Sequence, residues 1–244
     1  MAIRLTLAKT ERILFCGSKW WGDPDMPENM QYPTMEITED GETYDYPLTF
    51  ICQINCEDIA AFDPENRLPH EGMLYFFAAI DKWLGYDSPT SNDMGEWTRG
   101  HFVVKYAKSI NFETFQSCMM VGEEGESLTE PELEICFEQC EDEAEGIKLL
   151  GSSSKEGTRA HYPEMLNLLQ LDKNEALAMD FGEGSVLNLL IDYFIPLFKS
   201  PIMLVNDVVC IPRYPSASSI VSANLFRVSS FAWNFCNKSV AGSP

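Results

Sequence analysis

The sequence predicts an α+β fold: duplicated strand-rich halves with a mixed, mainly antiparallel sheet, related by a pseudo-twofold and joined by short helices. Three observations carry this. Short apolar runs of strand-like character recur along the chain. Acidic turns with helix-start signals follow two of them. One strand–turn–strand pattern is also written twice, at Ile51-Cys52-Gln53-Ile54-Asn55 and at Leu168-Leu169-Gln170-Leu171-Asp172. Each copy follows a Tyr-Pro pair, Tyr46-Pro47 or Tyr162-Pro163, and precedes an acidic turn, a glycine and a second apolar run. Such repetition suggests that each half buries the other's apolar face. Residues 46–80 and 162–191 are expected to correspond, with Gln53 and Gln170 in equivalent places.

Taken in order, Ile3 to Leu7 and Arg12 to Phe15 read as strands, and the Gly/Pro-rich stretch Gly17 to Pro27 as a loop holding Trp20 and Trp21. Leu48 to Ile54 is a strand whose Leu48, Phe50, Cys52 and Ile54 share the core face. Asn55 can cap a helical turn through Glu57 to Ala61. The run Met73 to Ile80, opened by Gly72, is apolar on both faces and predicts a strand covered on both sides. Phe102 to Tyr106 is a further strand. Leu133, Ile135 and Phe137 alternate with Glu132, Glu134 and Glu138, the signature of a half-buried strand. The second copy supplies Leu168 to Leu171 and Val186 to Leu190.

The 244 residues are 45% hydrophobic and 12% aromatic, enough for a substantial core. The N-terminus breaks its apolar run with charge at Arg4, so no signal peptide is expected, and no apolar stretch approaches a bilayer span. The reading is a cytoplasmic protein. Acidic residues outnumber basic ones 38 to 17, a formal charge of -21, which repels nucleic acid and anionic membranes and would attract a basic protein. Residues 122–145 hold eleven of the acids and no Lys or Arg. Among the eight cysteines, Cys52/Cys56 and Cys136/Cys140 share a C-x₃-C spacing. Neither pair sits on a zinc knuckle, so buried reduced thiols are expected, with no metal and no cofactor.

Six segments resemble the YwqG-like family, a bacterial domain of unknown function. They are Ser18-Lys19-Trp20-Trp21-Gly22-Asp23-Pro24, Leu48 to Asn55, Gly72 to Phe77, Gly146-Ile147-Lys148-Leu149-Leu150-Gly151, Leu166 to Asp172 and Leu187 to Ile191. The family pattern has a second glycine where Trp21 stands. The resemblance implies a duplicated α+β domain over residues 1–199, with halves of about 1–110 and 111–199, and brings no catalytic residues. It ends near Asp192. Residues 1–199 carry 37 acids and 14 bases, whereas 200–244 carry one acid and three bases. That break marks an atypical tail, either an appendage or a frame slip, and the slip is slightly favoured. Residues from about 212 onward are then expected to pack loosely.

Catalytic motifs are missing. The three histidines, His70, His101 and His161, form no H-E-x-x-H, and neither a G-x-S-x-G elbow nor a P-loop occurs. Gly182-Glu183-Gly184-Ser185 precedes a strand rather than a helix and reads as a hairpin turn. The candidate ligand-binding residues are Trp20, Trp21, Gln53 and Gln170. The tryptophans either roof the core or form a binding platform, with the roof favoured. The glutamines either satisfy backbone groups or form a paired recognition site, with the structural role favoured. Two function classes result. One is a binding protein, of the immunity type, for a basic partner. The other is a small-molecule hydrolase using carboxylates such as Asp172 and Asp180 in a cleft between the halves. The sequence leans against an enzyme.

Overall fold

The computed structural model describes residues 1–39, 41–80, 100–122, 124–162, 165–172, 186–192 and 209–210. Strands dominate these residues, and the main sheet curls into an antiparallel half-barrel. The expected α+β class is therefore corrected to a β fold. The only α-helices described are one short turn at Cys56–Ile59, α1, and the six-residue α2, Glu156–His161. Asn55 does cap α1, its side chain accepting from Glu57 N–H at 3.1 Å. The turn buries Cys56 and Ile59 and runs on as a 3₁₀ turn over Ala60–Phe62, so the helical turn expected through Glu57 to Ala61 is present but stays short.

Ten strands form the main sheet. In chain order they are β1 (Ala2–Ala8), β2 (Lys19–Trp20), β6 (Thr49–Asn55), β7 (Met73–Ala78), β8 (Phe102–Ala107), β10 (Leu133–Cys140), β11 (Lys148–Leu149), β12 (Met165–Asp172), β13 (Val186–Asp192) and β14 (Val209–Cys210). Two small two-stranded sheets lie beside it, β3 (Asp25–Pro27) with the distant β9 (Phe115–Ser117), and the hairpin of β4 (Thr34–Glu39) with β5 (Glu42–Pro47). Every described pairing between strands is antiparallel, so the sheet is not mixed.

The order across the sheet is β14-β13-β12-β11-β1-β10-β2-β6-β7-β8. It is built alike from both ends. The central ladder joins β1 to β10 around Thr6 opposite Cys136. On one side β10 pairs with β2, and β2 with β6, setting Lys19 opposite Gln53. On the other side β1 pairs with β11, and β11 with β12, setting Lys148 opposite Gln170. Both outer ladders carry an irregularity at the same step, between Phe50 and Cys52 and between Asn167 and Leu169. The chain leaves β2 through Trp21 (φ 58) and Gly22 (φ 70), and leaves β11 through Leu150 (φ 61) and Gly151 (φ 76).

One face of the sheet buries Ile3, Trp20, Ile54, Phe76, Leu149 and Leu187 in a continuous core. The opposite face of β6 and β7 packs Phe50, Tyr75 and Phe77 under Met26, Met35 and Phe115 of the two small sheets. Each such side chain, fully buried, is worth about 1.5–3 kcal/mol. β7 is buried along its whole length, which is why its sequence shows no alternation.

Three local expectations fail for identifiable reasons. The bulge in β6 breaks the period of two, so Leu48 and Phe50 face the two small sheets while Cys52 and Ile54 face the main core. Residues 12–15 form no strand, and Ile13 is 89% exposed. Lys19–Trp20, read as loop, is a two-residue strand wedged between β10 and β6. Within the stretch read as a tail, Val209–Cys210 form β14 beside β13. Residues 212–244 lie outside the described residues, as do Asp180 and the Gly182–Ser185 turn.

Candidate functional site

Gln53 is fully buried and every polar atom of its amide is used. Its Oε1 accepts from Asp25 N–H at 2.8 Å, and its Nε2 donates to Gly17 O at 2.9 Å and to Asp25 Oδ2 at 2.8 Å. The Asp25 carboxylate, also fully buried, further accepts from Cys16 N–H at 2.9 Å and from Ser117 Oγ at 2.5 Å. It pairs with Lys19 Nζ at 2.9 Å. Glu132 lies 3.3 Å from the same ammonium, and Tyr75 donates its hydroxyl to Asp25 O at 2.7 Å. This charged cluster is buried because each desolvated group is answered by another, and it ties β2, β3, β6, β7 and β9 together.

Gln170 repeats the pattern. Its Oε1 accepts from Ser154 N–H at 2.9 Å, and its Nε2 donates to Gly146 O at 2.8 Å and Ala144 O at 3.2 Å. Gly146 N–H in turn donates to Asp172 Oδ2. Both glutamines thus sit in matching ladders and bond matching backbone groups. The structure does not bring them together in one site, because β2, β10, β1 and β11 separate their strands. The missed residues are the lysines opposite them. A lysine in an otherwise apolar strand, G-x-K-W-W-G at Gly17 and G-x-K-L-L-G at Gly146, was the available signal.

Trp20 is fully buried and Trp21 is 8% exposed, their rings edge to face at 5.9 Å. The space beside Trp21, lined by Tyr32, Thr49, Phe50 and Leu128, measures about 30 Å³, room for about one water. The pair roofs the core. A far larger groove, about 1340 Å³, runs over β1 and β10. Its lining includes Glu138, Glu141, Glu145 and Asp172, with Arg4 and the Met1 amine as its cations. Both cations are already engaged, Arg4 with Glu138 at 3.5 Å and the amine with Asp142 at 2.6 Å.

Among the described residues no three His, Cys, Asp or Glu side chains are grouped as metal ligands, and no helix is long and apolar enough to cross a membrane. Cys52 and Cys56 are buried free thiols, while Cys136 and Cys140 lie on the more open β10. Burial pushes the Cys56 thiol up to about 12 and the Cys52 thiol well above its ordinary range. An unfolded thiol ionises near about 8.5, so above that pH the unfolded chain sheds protons that the folded one keeps, and stability falls. The expected loss is about 1.4 kcal/mol per pH unit for each of the two thiols. Urea midpoints between pH 8.5 and 10 should show a shallower fall in the Cys52→Ala/Cys56→Ala variant. An unchanged slope would remove the assignment.

The half-barrel and its two lysine–glutamine clusters define a scaffold braced by buried polar networks. A family model, a domain of unknown function (DUF1963), matches residues 18–149, more than half of the chain, and the protein belongs to that family. The match opens at Ser18 beside one lysine and closes at Leu149 beside the other. Comparison with curated proteins finds no match.

Proposed function

We propose that this protein is a non-catalytic binding protein, of the immunity type, that holds a basic protein partner by charge and shape complementarity. The observation carrying the reading is the groove over β1 and β10, in whose lining the acids Glu138, Glu141, Glu145 and Asp172 outnumber the two cations, Arg4 held by Glu138 itself and the Met1 amine by Asp142. A formal charge of -21 extends that field over the molecule and would steer a cationic partner toward it. The matched ladders support reading the chain as two copies of one unit, as the resemblance to YwqG-like proteins implies. They make the scaffold rigid enough to present a preformed surface. The same reading puts the protein and its partner in the cytoplasm.

Affinity capture from the native cell, followed by association kinetics with the captured protein, tests this. The partner should be basic. Its association rate should fall at least about tenfold between 0.05 and 0.5 M salt, because the Debye length shrinks from over about 10 Å to under about 5 Å. A neutral or acidic partner, or a rate indifferent to salt, sinks the proposal.

A further inference from the structure

The two matched lysines are held in different ways. Lys19 has the Asp25 carboxylate at 2.9 Å and the Glu132 carboxylate at 3.3 Å. In the second cluster, Ser154 takes the place of Asp25, donating its N–H to the glutamine just as Asp25 does. The buried Ser154 hydroxyl finds no hydrogen-bond partner. Lys148 is fully buried, and its Nζ donates to two backbone carbonyls, Asp142 O and Ser152 O at 2.7 Å. Among the described residues no carboxylate pairs with it. Both carbonyls belong to the segments that flank β11, and the first of these, residues 141–147, supplies Glu141, Ala144, Glu145, Gly146 and Ile147 to the groove.

We propose that residues 141–147 are a proton-controlled clasp on the groove, docked over the neutral amine of Lys148 and loosened when that amine takes up a proton. A neutral amine still carries two N–H donors, one for each carbonyl. An ammonium adds a third donor and a full charge in a buried place where, among the described residues, no carboxylate pairs directly with it. The groups facing the amine are Arg4 across the β1 ladder, Cys140 from β10, Asp142 and Glu143 from the clasp, and Asp172 from β12. The acids favour the charged form, but desolvation outweighs them and holds Lys148 down to about 8. With the clasp undocked and the amine in water, its ordinary value is about 10.4. The undocked state therefore binds more protons between these two values, and docking strengthens as pH rises through that window. Near neutral pH the clasp is under electrostatic load. This inference stands apart from the identity of any partner.

Amide hydrogen exchange of the full chain between pH 7 and pH 9, corrected for the intrinsic rate, reads the clasp directly. Protection of residues 141–147 should rise about tenfold over that range. The segment around Lys19, residues 17–22, should stay flat or fall, since its lysine keeps two carboxylates. Lys148→Met and Lys148→Gln should abolish the rise. A flat wild-type profile at 141–147, an equal rise at 17–22, or a rise that survives in either variant overturns the proposal. If neither variant folds, the comparison of the two wild-type segments still decides it.

Discussion

Replacing Asp25 with alanine is expected to destabilise the protein by about 3–5 kcal/mol, a large part of the roughly 5–15 kcal/mol that holds a typical domain together. The loss comes from what the carboxylate leaves behind. Cys16 N–H and Ser117 Oγ lose their acceptor in a buried space, and Gln53 Nε2 loses one of its two, keeping only Gly17 O. Lys19, 3% exposed, keeps only the partly exposed Glu132 at 3.3 Å. An uncompensated buried charge costs more than the pair was worth, so Asp25→Ala combined with Lys19→Met should be more stable than Asp25→Ala alone. The double-mutant cycle should give a coupling above about 1 kcal/mol. Denaturant unfolding of the four proteins supplies the measurement. A loss below about 1 kcal/mol for the single variant would mean that the cluster is not the brace described above.

Gly72→Ala should cost a comparable amount, about 2–5 kcal/mol, for a reason located in the backbone. Gly72 precedes β7 with φ +82, and a Cβ there would lie 2.1 Å from Ala107 O and 2.7 Å from the Lys108 carbonyl. Those atoms end β8 and cannot rotate away as a side-chain tip could. The left-handed conformation alone costs an alanine about 1–2 kcal/mol, and forcing apart two packed strands adds about 1–3 kcal/mol. Gly41 has φ +84 with nothing within 4 Å of the added Cβ, so Gly41→Ala should show the conformational cost alone. Thermal unfolding of both variants separates the two terms. Equal losses would show that the approach of Gly72 to β8 is not tight.

How far these positions could be seen beforehand differs between them. Gly72 was legible as the start of an apolar strand, but not as a contact with β8, because residues 102–107 meet it only through the sheet. Gln53 and Gln170 stood out as polar residues at one place in two apolar runs. Lys19 did not, because its neighbours Trp20 and Trp21 in a Gly/Pro-rich stretch read as a loop. A two-residue strand has no period of its own, and only the ladders on either side make it one. The helical turn after Asn55 was legible from the cap and the acids that follow it, and it is present through Cys56–Ile59 and Ala60–Phe62. What local signals could not show is how small a share of the described residues such turns make up beside the strands.

By itself the sequence determined the acidic surface, the strand runs, the continuous burial of Met73 to Ala78 and the lack of a recognisable catalytic motif. These follow from composition and local period, which need no knowledge of what packs where. Tertiary structure alone decided that the strands close into a curled antiparallel half-barrel rather than the expected α+β fold with a mixed, mainly antiparallel sheet. It also decided that β1 and β10 cross to pair with the short strands of the opposite half, and that Asp25 answers one buried lysine while backbone carbonyls answer the other. Pairing between distant strands and the balancing of a buried charge are properties of contacts. Two lysines at the same place in hexapeptides of one pattern, glycine at both ends and two apolar residues after the lysine, differ in what the rest of the chain brings to them.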